Sequence, residues 1–291
     1  MSKSASLTRV ALAYVAALAV AVAWLALGPS TGSLLWDGLV ADLLATLVIF
    51  GASRLHHNSS FYDAYWSVVP PLLIGWWWSQ SPEADDTRAA LVMLVVVVWA
   101  VRLTGNWIYA FPGLHHEDWR YPLLRERAGK AEVLADLGGI HLVPTIQVFL
   151  GCLPAYVAVT RPGNAVGWLD AVAVVVGLGA VLLTFVADLQ MYRFARTRRP
   201  GQALDQGLWA WSRHPNYFGE WGFWVALALF GVAASPGDAW WLFVGALAML
   251  ALLLGASIPM MEERSLERRP AYQDVIDRVP RFVPRPARRT T

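Results

Sequence analysis

Charge is what this 291-residue chain has least of. Asp, Glu, Lys and Arg make up 15% of it, where a water-soluble domain carries roughly a quarter, so its surface cannot be wetted throughout. Lysine is nearly missing: Arg outnumbers Lys 21 to 2, a bias that points to a GC-rich bacterial source. Cys152 is the only cysteine, which excludes a disulfide framework. Phosphate-cradling glycine motifs are absent, with neither a G-x-G-x-x-G after a strand nor a P-loop. The formal net charge of +2 is too small to argue for nucleic acid. The sequence also contains no alignable repeat, no low-complexity linker and no second, soluble domain.

What is present is apolar. Hydrophobic residues make up 57%, the mean hydropathy is +0.45, and Trp occurs 16 times. A bilayer core takes about 20 apolar residues in helical form. Runs of that order cover Val10–Leu27, Leu34–Ala52, Ala64–Gln80, Ala89–Asn106, Leu142–Thr160, Trp168–Gln190, Tyr217–Ala234 and Ala239–Pro259. A closed barrel would show segments of roughly 10 alternating residues instead. The expected fold is therefore an all-α, polytopic integral membrane helix bundle of seven to eight transmembrane helices with cytoplasmic loops. Val10–Leu27, preceded by Lys3 and Arg9, has the flanks of a signal peptide; with seven spans after it, a first anchor is expected.

Sorting Lys and Arg by side turns the small net charge into a large asymmetry. With eight spans, twenty cations fall on one side and only Arg88 and Arg161 on the other, with Arg102 inside a span. By the positive-inside rule both termini face the cytoplasm, in a bacterial inner membrane. Trp76, Trp77, Trp78, Trp240 and Trp241 fall at the outer interface, where indoles form a belt.

Ionisable groups at membrane depth cost at least ~2.5 kcal/mol each on insertion scales and are functional candidates by default. Asp42, Asp63, Arg102, Asp188, Glu220 and Glu262 qualify, and all but Asp42 lie near cytoplasmic span ends. They are expected to form a buried polar cluster open to the cytoplasm. In Asn58-Ser59-Ser60-Phe61-Tyr62-Asp63-Ala64-Tyr65-Trp66, two readings compete. Asn58 to Ser60 and Asp63 suit a helix start; alternatively Asp63 with Tyr62 and Tyr65 forms a proton-donating site at the mouth of a lipid-accessible pocket. Arg102 needs a partner, with Asp63 or Glu117 the nearest guesses. His115-His116-Glu117-Asp118 invites a metal, but adjacent His on a loop seldom converge on one ion, so no metal is expected. An ion-pair and aromatic cluster anchoring the 111–140 loop is expected instead. Four Arg between 193 and 199, in the 191–216 loop, offer bidentate phosphate contacts. Gly177 and Gly179 suit helix packing.

The most specific stretch runs Gly207-Leu208-Trp209-Ala210-Trp211-Ser212-Arg213-His214-Pro215-Asn216-Tyr217-Phe218-Gly219-Glu220. Its S-R-H-P-N-Y-x-G-E core resembles the C-terminal signature of the steroid 5-alpha-reductase superfamily, which includes sterol reductases. Ala187-Asp188-Leu189-Gln190 is similar to the companion motif, and the N-S-S-x-Y-D-x-Y-W and H-E-D-W-R-Y segments look like a bacterial branch of unknown substrate. The resemblance implies an NADPH-dependent reductase, a single membrane domain over 1–291. Within it, 10–52 would be two N-terminal helices, 55–170 substrate-side helices with the H-E-D-W-R-Y loop, and 170–291 the cofactor-binding region. Asp188, Arg193, Arg196, Arg213, His214, Asn216, Tyr217 and Glu220 would contact NADPH. Asp63, Tyr62 and Tyr65 would carry the catalytic acid, with Trp99, Arg102, Glu117 and Asp118 supporting substrate or structure. In this chain Trp99 stands where the reductase branch has Tyr, and one extra N-terminal span is present.

The function expected is reduction of a conjugated double bond in a hydrophobic, steroid-like or other lipid substrate, in contact with membrane lipid and not with nucleic acid. Two alternatives remain. The Arg-His-Pro stretch and Glu262-Glu263-Arg264-Ser265-Leu266 resemble an S-adenosylmethionine-dependent methyltransferase of the isoprenylcysteine carboxyl type. A non-catalytic lipid-binding or scaffold protein would keep the fold without the chemistry.

Overall fold

A computed structural model describes residues 2–287; Arg288 and Arg289 of the basic tail lie outside them. All eight expected runs are helical, and among the described residues there is no strand. The first four helices are α1 (Lys3–Leu27), α2 (Leu34–Leu55), α3 (Tyr65–Ser79) and α4 (Asp86–Ala110). Much of the segment expected as a loop over 111–140 folds into α5 (Arg120–Ala128), a short α6 (Glu132–Ala135) and a π-helical stretch, Asp136–Leu142, that runs straight into α7 (Val143–Thr160). Then come α8 (Trp168–Thr197) and α9 (Pro215–Ala234). The last span is built from α10 (Ala239–Leu242), α11 (Val244–Leu252), a π-helical stretch Leu253–Ser257 and α12 (Ile258–Arg268), followed by α13 (Tyr272–Arg278).

Among the described residues seven helical stretches are long and apolar enough to cross a membrane, and the chain is a polytopic membrane helix bundle. The third run is the short one. Its α3 helix has 15 residues with Pro70 and Pro71 inside it, reaching only ~22 Å against a hydrocarbon core of ~30 Å.

Contacts between distant segments show which ends gather. Lys3 Nζ donates to the Tyr109 carbonyl at 3.0 Å, Leu114 N donates to Ser6 Oγ at 3.1 Å, and Arg54 pairs with Asp136 at 3.2 Å. The start of α1 and the ends of α2 and α4 therefore share one end of the bundle, here called the basic end. At the opposite end Arg88 is fully buried. Its Nε and Nη2 hold Asp170 at 2.8 and 3.1 Å, and Nη1 donates to the Asn164 carbonyl at 2.8 Å. A bidentate geometry with the remaining donor satisfied is what offsets the cost of stripping water from both charges.

Small residues let the helices close where lipid supplies no hydrophobic drive. A Cβ added at Gly219 of α9 would stand 2.2 Å from Thr184 Oγ1 and 2.7 Å from the Ala180 carbonyl of α8. Gly177 is pressed the same way against Val95. Gly179 has no neighbour within 4 Å of a would-be Cβ, so close packing does not account for it. The Trp belt needs a similar correction. Trp240 is 85% exposed, as a belt residue should be, but Trp77 is wholly inside the core with its indole N–H on the Leu34 carbonyl.

Candidate functional site

The two motifs that are distant in sequence are joined in space. Leu208 N donates to Gln190 Oε1 at 2.9 Å, Trp209 Nε1 to the Ala187 carbonyl at 3.0 Å, and Asn216 Nδ2 to Asp188 Oδ1 at 3.2 Å. Gly207 makes this turn at φ +60°, the left-handed region that glycine enters without strain, with the end of the Gln190 side chain lying over it. Pro215 then opens α9, a position where its missing N–H costs nothing.

Asp188 is the hub of this junction. It pairs with Arg102 and accepts from Asn106 Nδ2 at 3.2 Å, in addition to Asn216. The partner of Arg102 is thus neither Asp63 nor Glu117 but a carboxylate on the facing helix α8. Beside this pair, between the basic ends of α4 and α8, lies a cleft of about 490 Å³. Arg102, Asn106, Tyr109, Asp188, Tyr192, Arg193 and Arg196 line it. Because α8 continues to Thr197, Arg193 and Arg196 stand on its last turns rather than on a loop. Both are exposed, and among the described residues neither has a carboxylate within salt-bridge reach.

Other residues expected around a cofactor stand apart from the cleft. Trp99 Nε1 donates to both Glu220 oxygens at 3.1 and 3.2 Å, Trp224 Nε1 adds a third bond at 3.2 Å, and Trp99 stacks on Phe223 with centroids 4.3 Å apart. Tyr217 stacks on His214. Arg213 and His214 both reach Glu262 Oε1, at 2.7 and 3.2 Å, while Arg281 holds Oε2 at 3.2 Å. Arg213 also donates to the Ile276 and Val279 carbonyls and Ser212 to that of Phe282. This set fastens the C-terminal segment over the start of α9. Burial holds the pKa of His214 below its ordinary value despite Glu262; the neutral ring donates its Nε2–H to the carboxylate.

Asp63 does not meet the phenols beside it in sequence. Tyr62 O–H pairs with Thr145 Oγ1 at 2.8 Å and Tyr65 O–H donates to Asp42 Oδ1 at 3.2 Å, both turned into the core. The phenol that reaches Asp63 is Tyr121, donating to Oδ1 at 2.6 Å, with Trp107 Nε1 on Oδ2 at 3.3 Å. Tyr121 was missed as a site residue because its only signal was membership of the H-E-D-W-R-Y run, 58 residues from its partner. Burial pushes the Asp63 carboxyl up from the usual Asp range, against the hydrogen bonds from Tyr121, Ser60 and Trp107. Of the six costly ions, Arg102 and Asp188 pair, with Glu220 in electrostatic reach, while Asp42, Asp63 and Glu262 stand in centres of their own.

The segment before α5 is anchored by ion pairs and aromatics. Glu117 pairs with Arg125 and accepts from Ser59 N at 2.6 Å, while Asp118 takes Arg120 Nε and Nη2 at 2.8 and 3.0 Å. Asn58 accepts from Ser60 N and donates to the Leu114 and His116 carbonyls, tying this segment to the turn before α3.

Fold and site together define a helical membrane protein with a polar cleft at its basic end. The family described as "Protein of unknown function (DUF1295)" matches residues 49–279, and the chain belongs to that family. It is also similar to "Uncharacterized protein C594.04c" of Schizosaccharomyces pombe, 27% identical over 274 residues, covering 85% of this chain and 79% of the yeast protein. No solved structure matches it.

Proposed function

We propose that the protein is a membrane-embedded, NADPH-dependent reductase of a conjugated double bond in a hydrophobic, steroid-like or other lipid substrate, as its resemblance to the steroid 5-alpha-reductase superfamily implies. The observation that carries this reading is the convergence of Asp188, Arg193 and Arg196 on one cleft, with Asn216 bonded to Asp188 from the companion motif. The donor set fits such a cofactor. Two guanidiniums without carboxylate partners suit phosphate oxygens, while Asp188 and Asn106 offer an acceptor and a donor to a carboxamide. The volume is that of a small-molecule site. When bound, the cofactor supplies a hydride.

The chain's own task is the proton. Trp99 cannot give one near neutral pH, and its indole N–H is engaged by Glu220. Asp63 and Tyr121 form the alternative, a carboxyl–phenol pair in which Tyr121 carries the proton to be given up, Asp63 holds the phenol as its acceptor, and bulk water at the basic end returns a proton to the phenolate afterwards. Trp107, which reaches Asp63, belongs to α4, the helix that also carries the cleft residues Arg102 and Asn106. A hydride to one carbon and a proton to its partner would balance such a reduction.

Purified protein in detergent should be stabilised by NADPH, by ~2.7 kcal/mol at 100 times the dissociation constant. A response to S-adenosylmethionine with none to NADPH would sink the reading. Asp63→Asn and Tyr121→Phe should each lower turnover by about 10²–10⁴-fold while leaving NADPH stabilisation intact; undiminished turnover in both variants would remove the pair from the chemistry.

One observation favours the methyltransferase as a second reading. The Arg-His-Pro and Glu-Glu-Arg stretches shared with that type meet through Glu262. The same titration decides between the two.

A further inference from the structure

A second cavity carries unbalanced positive charge. It has a volume of about 350 Å³, lies between α12 and the segment joining α4 to α5, and shares no residue with the α4–α8 cleft. His116, Trp119, Arg264, Ser265, Arg268 and Arg269 line it over a floor made by Met261, and no carboxylate takes part.

The acids of α12 face elsewhere. Glu263 and Glu267 line the neighbouring cavity beside Trp119, together with Glu126. Arg264 borders both cavities and lies 3.9 Å over the Trp119 ring. Among the described residues, none of Arg264, Arg268 and Arg269 has a carboxylate within salt-bridge reach. Arg264 and Arg268 are spaced i, i+4, where like charges destabilise a helix. An anion between them removes that repulsion. The apolar Trp119 face and Met261 leave one wall of the pocket suited to something other than a bare ion.

Position selects the source of the anion. α12 completes the last membrane-scale stretch, Pro236–Arg268, so Arg264 and Arg268 stand in its final two turns and Arg269 just past it, where a span meets the headgroup layer. Arg clusters at that depth attract anionic lipid, and indoles favour the same layer.

We propose that the pocket between α12 and the His116–Trp119 segment binds the phosphate of an anionic phospholipid headgroup. The inference is independent of the reductase reading, since the two cavities have no residue in common.

The test is thermal stability of the full-length protein in zwitterionic detergent, titrated separately with phosphatidylglycerol, phosphatidylcholine, inorganic phosphate and NADPH. Phosphatidylglycerol should raise the melting temperature where phosphatidylcholine does not. Arg264→Gln with Arg268→Gln should weaken that response about tenfold or more and leave the NADPH response unchanged. Arg268→Gln with Arg269→Gln keeps the Trp119 stack and guards against misfolding of the first variant; it should weaken lipid binding likewise. An undiminished phosphatidylglycerol response in this second variant would overturn the proposal. Equal stabilisation by inorganic phosphate would overturn the lipid as source. Loss of the NADPH response alongside that of lipid would assign the pocket to the cofactor.

Discussion

Asp188 gathers donors from two other helices: Arg102 and Asn106 of α4, and Asn216 of α9. With Arg102 largely out of water, removing either charge strands the other. Asp188→Leu and Arg102→Leu should each destabilise the protein by about 3 kcal/mol, and the double variant should lose clearly less than the sum of the two. Unfolding titrations of the four proteins in mixed micelles measure that coupling. Additive losses would show that the pair is not coupled. The need for a partner at Arg102 was legible in the sequence, because a lone guanidinium at membrane depth is too costly. Its identity was not. Asp188 is 86 residues away on a facing helix, and neither periodicity nor proximity along the chain encodes which faces meet. Asp63 and Tyr121 teach the same point, since the phenols one and two residues from Asp63 follow the backbone away from it.

At the scale of the element, the spans were readable because each run must be apolar over a bilayer's thickness. The regions between them look like loops in the sequence because charge there hides helical structure. Arg193 and Arg196 extend α8, and Arg120–Ala128 forms a helix in which no residue is fully buried. Two glycines in α8 and α9 give a paired test. Gly219→Ala must push against Thr184 and the Ala180 carbonyl and should cost 1–3 kcal/mol, about the penalty of overpacking. Gly179→Ala meets nothing and should be neutral or stabilise by up to ~1 kcal/mol. Thermal unfolding of both variants in one detergent checks the contrast. The segment before α5 should respond to acid. Burial raises the Asp118 pKa, but the hydrogen bonds and charge of Arg120 outweigh it and leave the carboxyl below its usual range. A depressed carboxyl contributes stability that is present above its unfolded pKa, near 4, and lost as the pH falls through the folded value. Limited proteolysis between residues 111 and 131 should therefore accelerate as the pH falls below about 4, and Asp118→Asn should flatten that dependence.

For the whole molecule, the arginine asymmetry read from the sequence becomes a physical end of the bundle, where Arg54, Arg125, Arg193 and Arg213 all stand near helix ends. By the positive-inside rule this end, with both termini, is expected on the cytoplasmic side. Single cysteines at Ser4 and Asp277, introduced after replacing Cys152 with Ala, should resist a membrane-impermeant thiol reagent in intact cells. A cysteine at Gly237 should react.

The Arg88–Asp170 pair closes the bundle at the other end, and with it the roots of α4 and α8. From Asp170 to Arg196 the helix extends about 39 Å at 1.5 Å per residue, and the Gly177–Val95 contact and the Arg102–Asp188 pair fasten it to α4 along the way. Clamped at root, middle and rim, the two helices hold a slot whose width is set before anything enters it.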